Sequence, residues 1–457
     1  MVPQLALWLC VIFILFLFVT DSGRGVRPSL ALWIPTIWMM YCGSRPLAYW
    51  FKSEPISAPI DYTEGSAVDR AFLSVLIIIG LSIVVRRKVH WSRVLKDNLS
   101  VFTLFAYMAL SVLWSDYPEI SFKRWVRTTG DFIMVLLVLT EANPFEAIKT
   151  LFRRSAFVLL PLSVVLIKYF RDIGVAYTED GSATMWIGVT TQKNDLGYVA
   201  MVSCLYFVNN IAAGWAKVKS RLWLDVLFLM MALWLLAGSS TANSKTSVAT
   251  FALGAGLLIA FHMLAKDPTR MIGRYGFVVA LTLFFVAITT VYGPVDESAV
   301  TALGRDATLT GRTDIWKAVL DIGPRNQLLG RGYGSFWIGN LANDVWTKVY
   351  TPIQQSHNGY IDIYIELGFL GLFLLGCLIW SAYTSIRQTV ASNPEYGAFR
   401  IVFLAVILIH NLTESSFARP TQLMWFLFLL VCIAVATPIA SSPRARTIWS
   451  IGSAVSQ

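Results

Sequence analysis

Thirteen apolar segments recur along the chain, near residues 3-20, 29-44, 70-86, 98-114, 127-140, 155-170, 195-212, 222-238, 246-264, 275-293, 361-384, 400-411 and 422-440. Most approach the roughly 17 to 25 residues with which a helix crosses a bilayer. The composition agrees: 56% of residues are apolar, 14% are charged and the mean hydropathy is +0.62, whereas charged residues make up about a quarter of an ordinary soluble domain. The expected fold is an all-α polytopic membrane protein with about 12-13 transmembrane helices. One stretch interrupts the ladder. Between Gly293 and Ile361 the chain is polar, and loops of more than about 15 residues are usually functional or disordered. The expected organisation is therefore N-terminal spans over 1-293, a long loop with short helices over 294-360, and C-terminal spans with a tail over 361-457.

The formal net charge of +10 would suggest nucleic acid in a soluble protein, but here it must first be divided between the two faces of a membrane. Assigning alternate connections to one face gathers twenty basic and seven acidic residues there, including Arg86, Arg87, Lys88, Arg93, Lys149 and Arg153. The other face carries a slight acidic excess. Basic residues favour the cytoplasmic side, so the long loop is expected outside the cytoplasm and the C-terminus within it. No nucleic-acid partner is implied. The first run has no basic residue before it and no small-residue cleavage signature after it, and is expected to remain as a span. All five cysteines fall in apolar segments, where they serve as small apolar residues. No Cys/His spacing suits zinc and no Walker-type loop is present, so no metal or other cofactor is expected.

The outer face receives several short polar segments. Ser115-Asp116-Tyr117-Pro118 precedes Lys123, Arg124 and Arg127, and the two arginines lie three apart on one helix face, where they could meet an anion; Trp114 and Tyr117 also fit an interfacial aromatic belt. Gln192-Lys193-Asn194-Asp195 stands just before a span. Its backbone N-H groups and the Lys193 ammonium could cradle phosphate, while capping by Asn194 or Asp195 accounts for the same pattern. Ser244-Lys245-Thr246 sets one cation among hydroxyls on the side depleted of basic residues, which favours an anion partner. In the long loop Arg312 precedes Thr313-Asp314, either of which can cap a helix whose positive end would welcome phosphate. Gly330-Arg331-Gly332 lacks the strand and helix of a nucleotide fingerprint and reads as a tight turn. Finally, His357-Asn358-Gly359-Tyr360 leads into a span carrying Asp362 and Glu366 on one face. A histidine beside a carboxylate-bearing helix mouth is a credible base. His410, with Asn411 and Glu414, is a weaker candidate.

Together, Leu113-Trp114-Ser115-Asp116 with Arg124, Gln192 to Gly197, Ser244-Lys245-Thr246, Gly311 to Trp316, the Gly330 turn and His357-Asn358-Gly359-Tyr360 before Glu366-Leu367-Gly368 resemble the O-antigen ligase and polymerase superfamily of bacterial envelope glycosyltransferases, in its exopolysaccharide polymerase branch. The likeness reaches from about residue 70 to 430. It implies a metal-independent enzyme of the bacterial inner membrane that takes a glycan from undecaprenyl pyrophosphate and joins it, at the periplasmic face, to a glycan or lipid-linked acceptor. Membrane lipids surround such an enzyme, and chain-length-regulating and export proteins are expected partners. By position, Arg312 and His357 match the family's functional arginine and histidine, and Lys245 stands where many ligases carry arginine. The expected catalytic residues are His357 and Arg312, with Glu366 as second choice of base; Arg124, Lys193, Asn194, Lys245 and Asn358 are expected to bind substrate. A ligase acting on lipid A core is the alternative within the class, and a lipid-linked oligosaccharide flippase the alternative outside it. A flippase would be expected to carry mid-span charge and internal repeats.

Overall fold

A computed structural model describes residues 2-21, 28-51, 66-177, 183-214, 222-239, 243-264 and 311-434. The expected span at 275-293, the first part of the long loop and the C-terminal tail lie outside these residues. In their described residues the other twelve apolar segments are mainly helical, as an environment without water requires of backbone amides that have no other partner. In chain order the elements are α1 (Pro3–Asp21), α2 (Trp33–Cys42), α3 (Leu47–Trp50), α4 (Ala67–Arg86), α5 (Trp91–Asp97), α6 (Leu99–Ser111), α7 (Pro118–Leu139), α8 (Pro144–Tyr169) and α9 (Arg171–Gly174). They continue with β1 (Val175–Tyr177), β2 (Thr184–Trp186), α10 (Lys193–Gly214), α11 (Leu222–Ala237), α12 (Lys245–Leu264), α13 (Arg312–Ile322), α14 (Gly339–Val349), α15 (Gly359–Ser392), α16 (Pro394–His410) and α17 (Leu423–Cys432). Among the described residues, six helices are long and apolar enough to cross a membrane, or seven if the bent pair α5 and α6 makes one span. The molecule is an all-α polytopic membrane protein, with one antiparallel hairpin pairing Val175 with Trp186 and Tyr177 with Thr184.

Helix starts follow the sequence. Pro118, Pro144 and Pro394 occupy first-turn positions, where the missing N-H costs nothing. Asn143, Asn358 and Asn393 accept backbone N-H groups of the helices they precede. Helix α7 begins nine residues before the apolar segment that announced it, so Arg124 and Arg127 lie inside the helix. Helix α17 is buried along its whole length, surrounded by α7, α15 and α16; an all-apolar helix is at home there as well as in lipid. By contrast α1 leaves Leu5, Trp8, Ile12 and Leu15 exposed, as a lipid-facing helix would.

The bundle has two chemically different ends. At one, Arg87 pairs with Glu141, Arg153 with Asp21 at 2.8 Å, and Lys149 with Glu146 and Glu395 at 3.2 and 2.7 Å, so the basic connections are tied to the few acids beside them. At the other end lie the starts of α7, α10, α12 and α15, the described part of the long loop, and the connection 411-422.

Candidate active site

A break in α15 shapes this end. Gly368 has φ +68° and ψ −167°, a conformation reserved almost wholly for glycine, and it divides the helix into a short outer piece and a long span. The peptide groups freed by the break are not left unpaired. Phe369 N donates to Gln327 O (2.9 Å) and Leu370 N to Leu328 O (3.1 Å), while Arg331 N and Gly332 N donate to Ile365 O and Glu366 O at 3.1 and 2.8 Å. The loop thus crosses the gap as a backbone splint. Gly330, φ +77°, permits the approach: a Cβ there would lie 2.3 Å from Glu366 O. The expected tight turn is present, and its function is to repair a broken helix.

The splint sets the loop's second core, in which Val319, Phe336, Trp337, Val345 and Ile365 are buried together. Helix α13 begins at Arg312, because Gly311 takes the left-handed conformation at φ +78° ahead of it. Thr313 and Asp314, expected as caps, are therefore within the first turn. Trp316 Nε1 donates to Ser356 O at 2.8 Å, which carries the segment 356-358 against this helix. His357 itself has φ +54°, an uncommon conformation for a residue other than glycine.

Glu414 is the point on which these elements converge. The turn 411-416 is held by Asn411 Oδ1, which accepts from Ser416 N (2.9 Å) and Phe417 N (3.2 Å), and Gly359 N donates to Asn411 O and Glu414 O. The Glu414 carboxylate is 1% exposed. Oε1 accepts from Arg312 Nη2 at 2.5 Å and Asn194 Nδ2 at 3.0 Å; Oε2 accepts from Tyr198 OH at 3.2 Å and lies 3.1 Å from His357 Nδ1. Four donors match the roughly four lone-pair positions of a carboxylate. Burial alone would raise its pKa, but the His357 hydrogen bond and the charges of His357 and Arg312 outweigh that and hold it below the ordinary carboxylate value. His357 Nδ1 is thereby committed as a donor, leaving Nε2 to accept a proton. Arg312 is 9% exposed, and its Nη1 is buried without a hydrogen-bond partner among the described residues.

Beside this node is a cavity of about 290 Å³, bounded by Tyr198 and Asp195 on one side and by Arg124, Arg127, Glu366 and Arg419 on the other. Arg124 Nη1 donates to Gly334 O at 2.5 Å and Gly334 N donates to Glu366 Oε2 at 2.8 Å, so the same turn that splints α15 also positions both side chains.

The structure therefore brings Arg312, His357 and Asn194 together on Glu414, and Arg124 and Glu366 together on the cavity wall. Asn194 spends its side-chain amide on Glu414, within the first turn of α10. Asn358 is buried, and its Oδ1 accepts from Tyr360 N and Ile361 N, so its oxygen serves as the cap of α15. Lys193 opens α10 but, among the described residues, neither bounds the cavity nor reaches Glu414. Lys245 is exposed at the start of α12, and its neighbour Thr246 meets Thr413 at 3.2 Å through their hydroxyls. His410 is fully buried and stacks edge-on against Tyr198, centroids 4.7 Å apart, behind the node. Glu414 and Arg419 carry more of the site than the sequence reading allotted them. Their signal was the polar run from Asn411 to Gln422 between two apolar helices.

Residues 230–376, which hold Arg312, His357 and Glu366, match the family model described as O-Antigen ligase. Over that stretch the chain is similar to the O-antigen ligase family. It is 25% identical over 380 residues, 80% of this chain and 83% of the other, to the "Exopolysaccharide production protein ExoQ" of Rhizobium meliloti. To the "Putative polysaccharide ligase" of Rickettsia felis it is 21% identical over 70% of this chain and 79% of that one. The family-model match ends before Glu414 and begins after Arg124 and Asn194, so the node joins matched residues to residues contributed by both flanks.

Proposed function

We propose that this chain is a periplasmic-face glycosyltransferase of the inner membrane that polymerises undecaprenyl-pyrophosphate-linked repeat units. The observation that carries the reading is the convergence of Arg312, His357 and Asn194 on one buried carboxylate. Glu414 has no free lone pair with which to take a substrate proton, so it acts by holding His357 in the tautomer whose Nε2 is open. That nitrogen accepts the proton of an acceptor sugar hydroxyl as the hydroxyl oxygen bonds to the anomeric carbon of the donor, and the carbon-oxygen bond to pyrophosphate breaks. Negative charge grows on the departing pyrophosphate. The unpaired Arg312 Nη1 and the Arg124 guanidinium are fixed cations that can meet it, and such preorganised charge is commonly the largest part of catalysis. With protein cations in that role the transfer needs no metal. Attack opposite the leaving group inverts the anomeric centre, which a comparison of donor and product linkages would reveal; retention in a single turnover contradicts the scheme. Glu366 is the second candidate for the base, with Oε2 already held by Gly334 N.

The name of the Rickettsia relative keeps a ligase as the variant reading, differing only in acceptor. A deletion strain complemented with the wild-type gene, His357→Ala or Arg312→Ala separates them. A polymerase defect leaves single repeat units; a ligase defect leaves long carrier-linked chains that never reach lipid A. Wild-type glycan from both variants at normal expression would remove the assignment. The flippase reading gains no support from the site, whose charged groups gather at one end. Asp131, buried in α7, is an ionisable group within a span, but its oxygens accept from Trp38 Nε1 (2.7 Å) and Thr421 N (3.2 Å), a bracket that holds the connection carrying Arg419.

A further inference from the structure

Asp362 is a second carboxylate built like Glu414. Its Oδ1 accepts from Trp337 Nε1 at 3.1 Å and Ser356 N at 3.2 Å; its Oδ2 accepts from Ser415 Oγ at 2.5 Å and Arg419 Nη2 at 3.1 Å. All four lone-pair positions are again filled by protein. Arg419 is further fixed by Nε to Ser415 Oγ (3.2 Å) and Nη2 to Gln354 O (2.8 Å). So much fixation of one guanidinium has a geometric result: Arg419 is held on the cavity wall, its side chain still 25% exposed, and among the described residues its bonds come from Nε and Nη2 and leave Nη1 over.

The hydrogen-bonding capacity left on that wall is unequal. Asp69 is consumed by Ser66 Oγ, Tyr41 OH and Leu47 N. Glu366 keeps one oxygen after bonding Gly334 N. Among the described residues Arg124 donates only through Nη1 and Arg419 keeps its own Nη1, while Asp195 Oδ1 and one Glu366 oxygen are the uncommitted carboxylate positions, so N-H donors outnumber them on that wall. A glycosyl phosphate suits this pattern, with phosphate oxygens against the guanidinia and a sugar hydroxyl against Glu366. The cavity also shares Tyr41 and Ser44 with an adjoining recess of about 220 Å³, bounded mostly by apolar residues including Ile37, Met40, Phe72, Leu159 and Leu162. A polar chamber with surplus N-H donors beside an apolar recess fits an amphiphile with an anionic head.

We infer that Arg419, positioned by Asp362, contacts the diphosphate of the lipid-linked donor, together with Arg124. This rests on the proposed glycosyl transfer only for the identity of the ligand; the oxyanion site can be tested without turnover. The full-length protein in nanodiscs is titrated with inorganic pyrophosphate by calorimetry, as wild type, Arg419→Ala, Arg419→Lys, Asp362→Asn and Arg325→Ala. A charge-assisted hydrogen bond is worth about tenfold or more in affinity. Arg419→Ala is expected to bind at least about tenfold more weakly, Arg419→Lys and Asp362→Asn to fall between it and wild type, and Arg325→Ala, an exposed arginine, to match wild type. Each variant is checked for monodispersity and melting temperature, and the Arg419→Lys result carries the test if Arg419→Ala does not fold. Pyrophosphate binding that is absent in wild type, or equal in wild type and both Arg419 variants, overturns the inference. Binding that behaves as expected in a protein without transferase activity would refute the proposed function and leave the oxyanion site standing.

Discussion

A carboxylate whose lone pairs are all taken by protein donors orients its partners, and this distinguishes Glu414 from the groups it holds. His357→Ala removes the base and is expected to slow transfer by about 10² to 10⁴, the usual contribution of general-base assistance, while leaving the fold nearly intact because the histidine is partly exposed. Glu414→Gln differs. The amide keeps the shape but replaces an acceptor oxygen with a donor that faces Arg312 and Asn194 or Tyr198 and His357, so activity and stability should both fall, the latter by about 1 to 3 kcal/mol for an imperfectly paired buried group. The pH dependence follows from the depressed Glu414 pKa. Its contribution is complete above the unfolded carboxylate value of about 4.3 and disappears as pH falls through the lower folded value. Thermal melts from pH 3 to 7 should show the wild type losing its advantage over Glu414→Gln only in that acidic window; a constant gap would mean that Glu414 is neutral in the fold. Individual residues were legible to the extent that their signal was local. Arg312 and His357 stood out in a polar loop, whereas the importance of Glu414 comes from contacts 57 to 220 positions away in sequence, of which only its polar setting gives a hint.

At the scale of elements, the break in α15 and the turn that splints it determine where Glu366 and Arg124 sit. Adding a methyl group at Gly368 would place a Cβ 2.3 Å from Leu328 O in a conformation that costs other residues about 1 to 3 kcal/mol. Gly368→Ala should therefore lower the melting temperature and reduce activity together, and Gly330→Ala should do the same through Glu366 O. Unchanged melting in both variants would show that the loop does not support the helix. Helices were readable from apolar runs because burial in hydrocarbon and intrahelical bonding are properties of contiguous sequence. The break was not readable, since a run from Ile361 to Tyr383 is apolar on either side of it and a glycine within a span is common. The start of α7 was hidden for the opposite reason: Arg124 and Arg127 face a polar cavity and, with Lys123, which pairs with Glu119, interrupt the apolar signal while the helix continues.

Across the whole molecule, one end carries salt-bridged basic connections and the other gathers the site, and the proposed function, following the positive-inside tendency, requires the site to lie outside the cytoplasm. Single cysteines introduced at Asn343 on α14 and at Arg93 on α5, both exposed, should react oppositely with a membrane-impermeant thiol reagent. Asn343→Cys is expected to label in spheroplasts and Arg93→Cys only after permeabilisation; the reverse pattern would move the chemistry to the cytoplasmic face. The central claim is that His357 and Arg312 work as one unit through Glu414 to transfer a glycan. It is tested most directly by reconstituting the purified protein with carrier-linked repeat units and measuring chain growth in wild type, His357→Ala, Glu414→Gln and the double variant. The account predicts a large loss of rate in each single variant and a double variant about as slow as His357→Ala alone, because residues acting as a unit are not additive; wild-type growth in Glu414→Gln, or losses that simply multiply, would contradict it.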